Sequence, residues 1–209
     1  MVNLVDAQNQ LDEYLSKVRE KYIKPHLGTT EHPDDYMFDV KCYCILCHAA
    51  FEEFIENVCL YLLDELCDNF KNHLKISYST LCLLYFNSVR EEINENNWKD
   101  DQKLYDYFID KLGKVKSDYS VYLRENNHGV GLKYLKKMLI PIGIDIPQDP
   151  VQQNSLTQLT KFRGEYAHTS LRIAKTLSPE DAMKFVDDVH KMMTEIATRA
   201  KKIQYHDLH

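Results

Sequence analysis

Turn-forming residues are scarce in this chain, with 6 glycines and 6 prolines across 209 positions. So little punctuation argues against a many-stranded sandwich or barrel and in favour of long helices. Long apolar runs are also missing. No stretch approaches the roughly 18 uninterrupted apolar residues that suggest a membrane span. The start, Met1 to Asp6, has neither a basic n-region nor an apolar h-region, so no secretory signal is visible. Positive charge is not in excess. With a net charge of -6, the protein as a whole is no electrostatic trap for nucleic acid, and a polyanion would have to meet a local positive patch. Internal repeats and low-complexity tracts are absent as well.

What remains is an ordinary globular balance of 44% hydrophobic and 28% charged residues. The length suits a single domain spanning residues 1–209. Cysteines at 42, 44, 47, 59, 67 and 82 all lie in the apolar first half. That clustering suits reduced core thiols of a cytosolic protein better than a disulfide framework. A cytoplasmic protein without membrane contact is therefore expected.

Apolar spacing predicts an amphipathic helix over 3–24, then a polar loop through Asp35. From about Tyr36 to about Leu74, apolar positions from Phe38 to Leu66 nearly encircle the axis, as in a central buried helix. Its polar stripe is Glu52, Glu53, Glu56, Glu65 and Asp68. A helix over 80–94 is expected to turn Leu83, Leu84, Tyr85, Phe86 and Val89 inward, and Asn94 to Asn97 breaks it. Two short helices follow, one on Leu104 to Leu112 and one on Val115 to Leu123. A turn at 126–131 leads to a helix from Leu132 to about Ile140, and a loop runs from Pro141 to about Gln153. Leu156, Leu159 and Phe162 lead the next helix. Ser178-Pro179-Glu180-Asp181 is a strong helix start, and the last helix runs to about Ile203.

Candidate chemistry centres on Phe162-Arg163-Gly164-Glu165-Tyr166-Ala167-His168-Thr169-Ser170. Arginine is a permanent cation with a rigid donor fork suited to phosphate oxygens. Histidine takes up and releases protons near neutral pH. Five steps of an ideal helix leave the two positions about 140° apart, so one straight helix cannot aim both at one phosphate. Either the helix loosens at Gly164, or a second chain completes the site across a two-fold axis. Between Ser155 and Thr176 the charges are Lys161, Arg163, Arg172 and Lys175 against Glu165, four positive and one negative, a local +3. Lys161, Arg172 and Lys175 are the candidate RNA-binding residues. The spacing alone is equally met by an Arg163 paired with a carboxylate and a His168 bonded at a helix end.

The segment Phe162 to His168 resembles the signature of the HEPN superfamily, an arginine followed by four to six residues and a histidine. Ala49-Ala50-Phe51-Glu52-Glu53-Phe54-Ile55 resembles its central "A-F-E" helix. Gly131-Leu132-Lys133-Tyr134-Leu135 to Gly143-Ile144 and Ser178 to Met193 resemble the middle section and closing helix of the RiboL-PSP-HEPN branch. The likeness spans roughly residues 40–200, in the right order. It implies an all-α bundle with additional helices, its motif-bearing core about 36–205, and usually a homodimer whose two motifs face each other. Many members are metal-independent ribonucleases of antiviral, toxin–antitoxin and RNA-processing settings. The resemblance makes Arg163 and His168 the catalytic pair, with RNA as substrate, no cofactor, and an antitoxin or sensor protein as a further partner. Glu165 and Glu52 are supporting candidates that could orient the pair, or remain solvated acids. Across the superfamily the residue after the arginine is often Asn, Asp or His; here it is Gly164, which leaves the backbone freer to turn. One branch carries a modifiable tyrosine just after the histidine, and Thr169-Ser170-Leu171 offers none.

Other features read as structure. Cys42-x-Cys44-x-x-Cys47-His48 lacks the second ligand pair of a structural zinc site, so core thiols are expected and no metal. Gly129-Val130-Gly131 lacks the Gly-Lys-Ser/Thr ending of a phosphate loop. Lys133, Lys136 and Lys137 form a small basic face, and His206 and His209 lie in a polar tail. A non-catalytic HEPN module, or a helical scaffold in which the motif is coincidental, stays open alongside the enzyme.

Overall fold

The computed structural model describes residues 3–28, 32–87, 103–168 and 177–206, and the side chains of all these except 167, 168 and 204–206. Its elements are helical throughout: α1 (Leu4–Tyr22), α2 (Pro33–His73), α3 (Tyr78–Phe86), α4 (Leu104–Val121), α5 (Leu132–Leu139), α6 (Pro150–His168) and α7 (Pro179–His206). Short 3-10 turns at Lys24–His26 and Ile140–Ile142 and a π turn at Tyr122–Asn126 fill the connections. No strand occurs among the described residues.

The axis of the fold is α2. Forty-one residues make a rod about 60 Å long, and it packs against each of the other six helices. Phe51, Ile55, Leu62 and Leu63 are sealed on its surface, each contributing about 1.5–3 kcal/mol by burial. The helix starts earlier than its apolar pattern suggests. His32 caps it reciprocally with Asp35, and Pro33 takes the first position, where a missing N–H costs nothing. Leu74 ends it in the left-handed conformation at φ 55°.

Caps set the other starts. The Asn3 carboxamide oxygen accepts from the amides of Val5 and Asp6, and Ser77 Oγ accepts from Thr80 at 2.9 Å. Asp149 accepts from Val151 at 2.8 Å, so α6 begins at Pro150 inside the expected loop. Ser178 Oγ accepts from the Asp181 amide at 3.0 Å, the expected start of α7.

Four expectations need correction. The two short helices between 104 and 123 are one helix, because Gly113 faces open space and an interior glycine costs only about 1 kcal/mol. Helix α3 stops at Phe86, and only Leu83 of its expected inner face is buried. Tyr85 and Phe86 are exposed, since nine residues present one stripe to the core and not a whole circumference. Val89 and Asn94 to Asn97 lie outside the described residues. Phe38 is 73% exposed near the start of α2, where no helix covers that face.

Candidate functional site

The seam where α6 packs on α2 is where the singled-out residues converge. His48, Glu52 and Glu56 stand at successive four-residue steps of α2 and so share one face. The segment 127–131 runs back along that face. Asn127 Nδ2 donates to Glu56 Oε1 at 3.0 Å. Two residues on, Gly129 lies so close that an added Cβ would sit 3.5 Å from His48 Cε1. Its φ of 149° belongs to the region that glycine alone occupies freely. Gly131 meets α6, with Thr160 Cγ2 3.4 Å from the corresponding Cβ position.

Arg163, one turn beyond Thr160, is half-buried against α2. Its charge acts on both His48 and Glu52. Among the described residues its guanidinium has no ion pair or hydrogen bond. The expected alternative of a carboxylate-paired arginine is therefore not what the described residues display.

Burial sets the ionisation of this seam. His48 is 2% exposed, and burial first, then the nearby Arg163 cation, push its imidazole down to about 4. It is neutral at physiological pH. Among the described residues neither ring nitrogen has a hydrogen-bond partner, and Thr160 Oγ1 and Asn127 Oδ1 are buried and unpartnered there too. Glu52 is partly buried, so it is no solvated surface acid. Burial and then Glu56 raise its carboxyl, while Arg163 and His128 pull it back. Glu165 pairs with Lys161 at 3.9 Å, one turn back on the same helix. It thus partly neutralises one of the three expected RNA-binding cations. Arg172 and Lys175 lie outside the described residues.

Helix α6 is unbroken from Pro150 through His168. Gly164 does not loosen it, and nothing lies within 4 Å of where its Cβ would be. Five regular steps put the Cα of His168 about 7.5 Å along the axis and about 140° round it from that of Arg163. The His168 side chain is outside the described residues, as are those of His206 and His209. Phe162 stacks on Phe185 of α7 at 6.4 Å between ring centroids, and Lys41 of α2 lies 5.4 Å over the Tyr166 ring. These contacts clamp the motif segment of α6 between α7 and α2.

A family model described as RiboL-PSP-HEPN matches residues 6–202. The chain belongs to this family. The match takes in every described helix apart from the two extreme ends, including the α2–α6 seam and the Arg163–His168 segment. No match was found among curated proteins or among solved structures.

Two further groups in this HEPN chain bear on chemistry. Cys44 and Cys47 point into the core, where burial raises Cys44 to about 12 and lifts Cys47 well above the ordinary thiol value. Both are therefore protonated thiols. No group of three or more His, Cys, Asp or Glu side chains among the described residues is placed to hold a metal ion. Likewise, no helix among them is long and apolar enough to cross a membrane.

Sequence reasoning passed over His48, setting it aside with the neighbouring cysteines. The signal was present in the i, i+4, i+8 spacing of His48, Glu52 and Glu56, the polar side of an otherwise apolar helix.

Proposed function

We propose that this chain is a metal-independent endoribonuclease working as a homodimer. Arg163 and His168 are its catalytic residues, and Glu52 supports the arginine. The observation that supports this reading is the half-buried Arg163, in the segment that resembles the family's motif, without an ion pair among the described residues. A partly shielded cation left unneutralised is what a phosphate anion needs, because its attraction is less screened there than in open water.

The regular course of α6 sets the Cα of the motif histidine about 140° round the axis from that of the motif arginine. A two-fold partner answers that geometry, since the Arg163 of one protomer can then share a cleft with the partner's His168. In the reaction, a His168 imidazole takes the proton of an RNA 2′-hydroxyl as that oxygen attacks the adjacent phosphorus. Arg163 holds the non-bridging oxygens as charge builds on them. The bond from phosphorus to the 5′-oxygen breaks, and the leaving oxygen takes a proton from the second imidazolium of the symmetric pair. The products are a 2′,3′-cyclic phosphate and a free 5′-hydroxyl. Positioned proton transfer contributes about 10²–10⁴-fold, and stabilisation of developing charge about 10²–10³-fold more. An antiviral effector or toxin, acting in the cytoplasm under an antitoxin or sensor protein, is the biological setting we infer. Lys161, Arg172 and Lys175 are the cations that would meet the RNA backbone.

Incubating the purified protein with defined RNAs in EDTA tests the proposal. Cleavage leaving cyclic phosphate ends is expected, and it should vanish in folded Arg163→Ala and His168→Ala variants. Retained cleavage by either variant removes that residue from the catalytic pair.

A second reading is a non-catalytic module that binds RNA, a nucleotide or a protein through the same surface. Gly164 in place of the usual polar neighbour and the net charge of -6 favour it. Binding of RNA with no cutting under any condition would replace the first reading with this one.

A further inference from the structure

The most unusual group at the α2–α6 seam is one the proposed chemistry leaves unused. His48 is almost wholly buried, yet both of its ring nitrogens lack a partner among the described residues. Leaving a buried polar atom unpaired costs about 1–3 kcal/mol, so such a group calls for a reason. Packing does not supply one, because a leucine or phenylalanine would fill the space without that cost. The backbone has also been shaped around it. Gly129 takes a conformation unfavourable to other residues and approaches the imidazole edge closely.

Arg163 has donors to spare and no bonded partner among the described residues. The two side chains stand on helices that pack together, close enough for the Arg163 charge to act on the imidazole. We propose that His48 is a positioning residue of the site, one imidazole nitrogen accepting an N–H of the Arg163 guanidinium and so fixing the direction in which the fork meets an RNA phosphate. Hydrogen bonds of this kind are often long in the free protein and tighten when substrate arrives. A histidine suits the role better than an acid would. A carboxylate would neutralise the arginine and compete with phosphate, whereas a neutral acceptor orients the fork and leaves its charge intact.

The surrounding titratable and charged groups are Glu52 and Glu56 on α2, His128 in the 127–131 segment, Tyr134 on α5 and Arg163 on α6. Burial and Arg163 keep the imidazole uncharged down to about pH 4. Below that, protonation would replace the acceptor with a second cation beside the first.

This inference rests on the ribonuclease reading for its kinetic test but not for its spectroscopic one. Cleavage is compared among the wild type, His48→Leu, which fills space without an acceptor, and His48→Gln, whose amide oxygen restores one. Misdirected positioning groups cost roughly 10²-fold. His48→Leu is expected to lower kcat/KM by about that factor, chiefly through kcat. His48→Gln should recover most of the loss. A folded His48→Leu protein cleaving within about twofold of wild type would overturn the assignment, as would a His48→Gln protein no better than the leucine variant. If the wild type cuts no RNA, the ribonuclease reading fails and nitrogen-15 NMR decides the contact alone. The His48 ring shifts, recorded with and without an RNA carrying a 2′-deoxy scissile residue, should differ between wild type and Arg163→Ala. Identical shifts in both would sink it.

Discussion

Two seams of this bundle handle charge in opposite ways. Where α7 packs on α1 and α6, ionic groups are matched. Arg19 of α1 pairs with Asp187, and His190 meets Asp12 of α1 at 2.6 Å. The buried Asp188 accepts from Ser155 Oγ of α6 at 2.9 Å and lies 3.4 Å from Lys191. Along the α2–α6 seam the reverse holds. Arg163 has no ion pair among the described residues, His48 is buried with neither nitrogen bonded among them, and Glu52 is made costlier to ionise by burial and then by Glu56. The first seam spends its polar groups on holding helices together. In the second, polar groups are kept under strain by the same packing, which is where perturbed ionisation marks a candidate functional site. Both seams share α6, so a single helix is fixed by one face and exposes chemistry from another.

That contrast can be broken at several points. The largest effect is expected for Arg163→Ala, which should lower RNA cleavage by at least about 10²-fold while the melting temperature stays level or rises. A fall in stability matching the loss of activity would mean that the α2–α6 seam is structural after all.

Acid should weaken the fold through His48. Its folded value near 4 lies below the unfolded value near 6.5, so the unfolded chain binds the proton first as pH falls. The contribution is therefore fully present above about pH 6.5 and lost progressively down to about pH 4. Across that range the loss is on the order of 3 kcal/mol. Urea unfolding of wild type and His48→Leu across that range measures it. The variant should show a correspondingly shallower decline, and parallel curves would remove His48 as the cause.

Asp188→Ala attacks the paired seam. Leaving the Ser155 hydroxyl buried without its acceptor should cost about 1–3 kcal/mol, with cleavage per folded molecule unchanged. A drop in specific activity at full folding would show that the two seams are coupled and not separate.

The smallest effect tests the straightness of α6. A half-buried helical glycine with free space around its Cβ position should accept alanine with a gain of about 0.4–1 kcal/mol. If Gly164→Ala destabilises the protein, the backbone there is not the regular helix described.

Much of the architecture was legible in advance because apolar periodicity is a local signal. The central helix, the amphipathic first helix and the Ser178-Pro179 start could all be placed from spacing and capping chemistry. His32-Pro33-Asp34-Asp35 was the overlooked start signal of α2, since a histidine is not the usual cap residue. Gly113 suggested a break because a glycine reads alike at a helix end and in an exposed helix interior. Tyr85 and Phe86 were assigned inward because apolar character says what a residue tolerates, not which neighbours exist to cover it.

By itself, the order of residues determined an all-helical chain, its family, and the arginine and histidine five positions apart on α6. Only the tertiary structure decided that Arg163 faces a buried imidazole and a half-buried acid contributed by α2, more than a hundred positions earlier in the chain. Periodicity follows from the geometry of one helix. The charge environment of a side chain depends on whichever helix packs against it and on how much water that packing excludes.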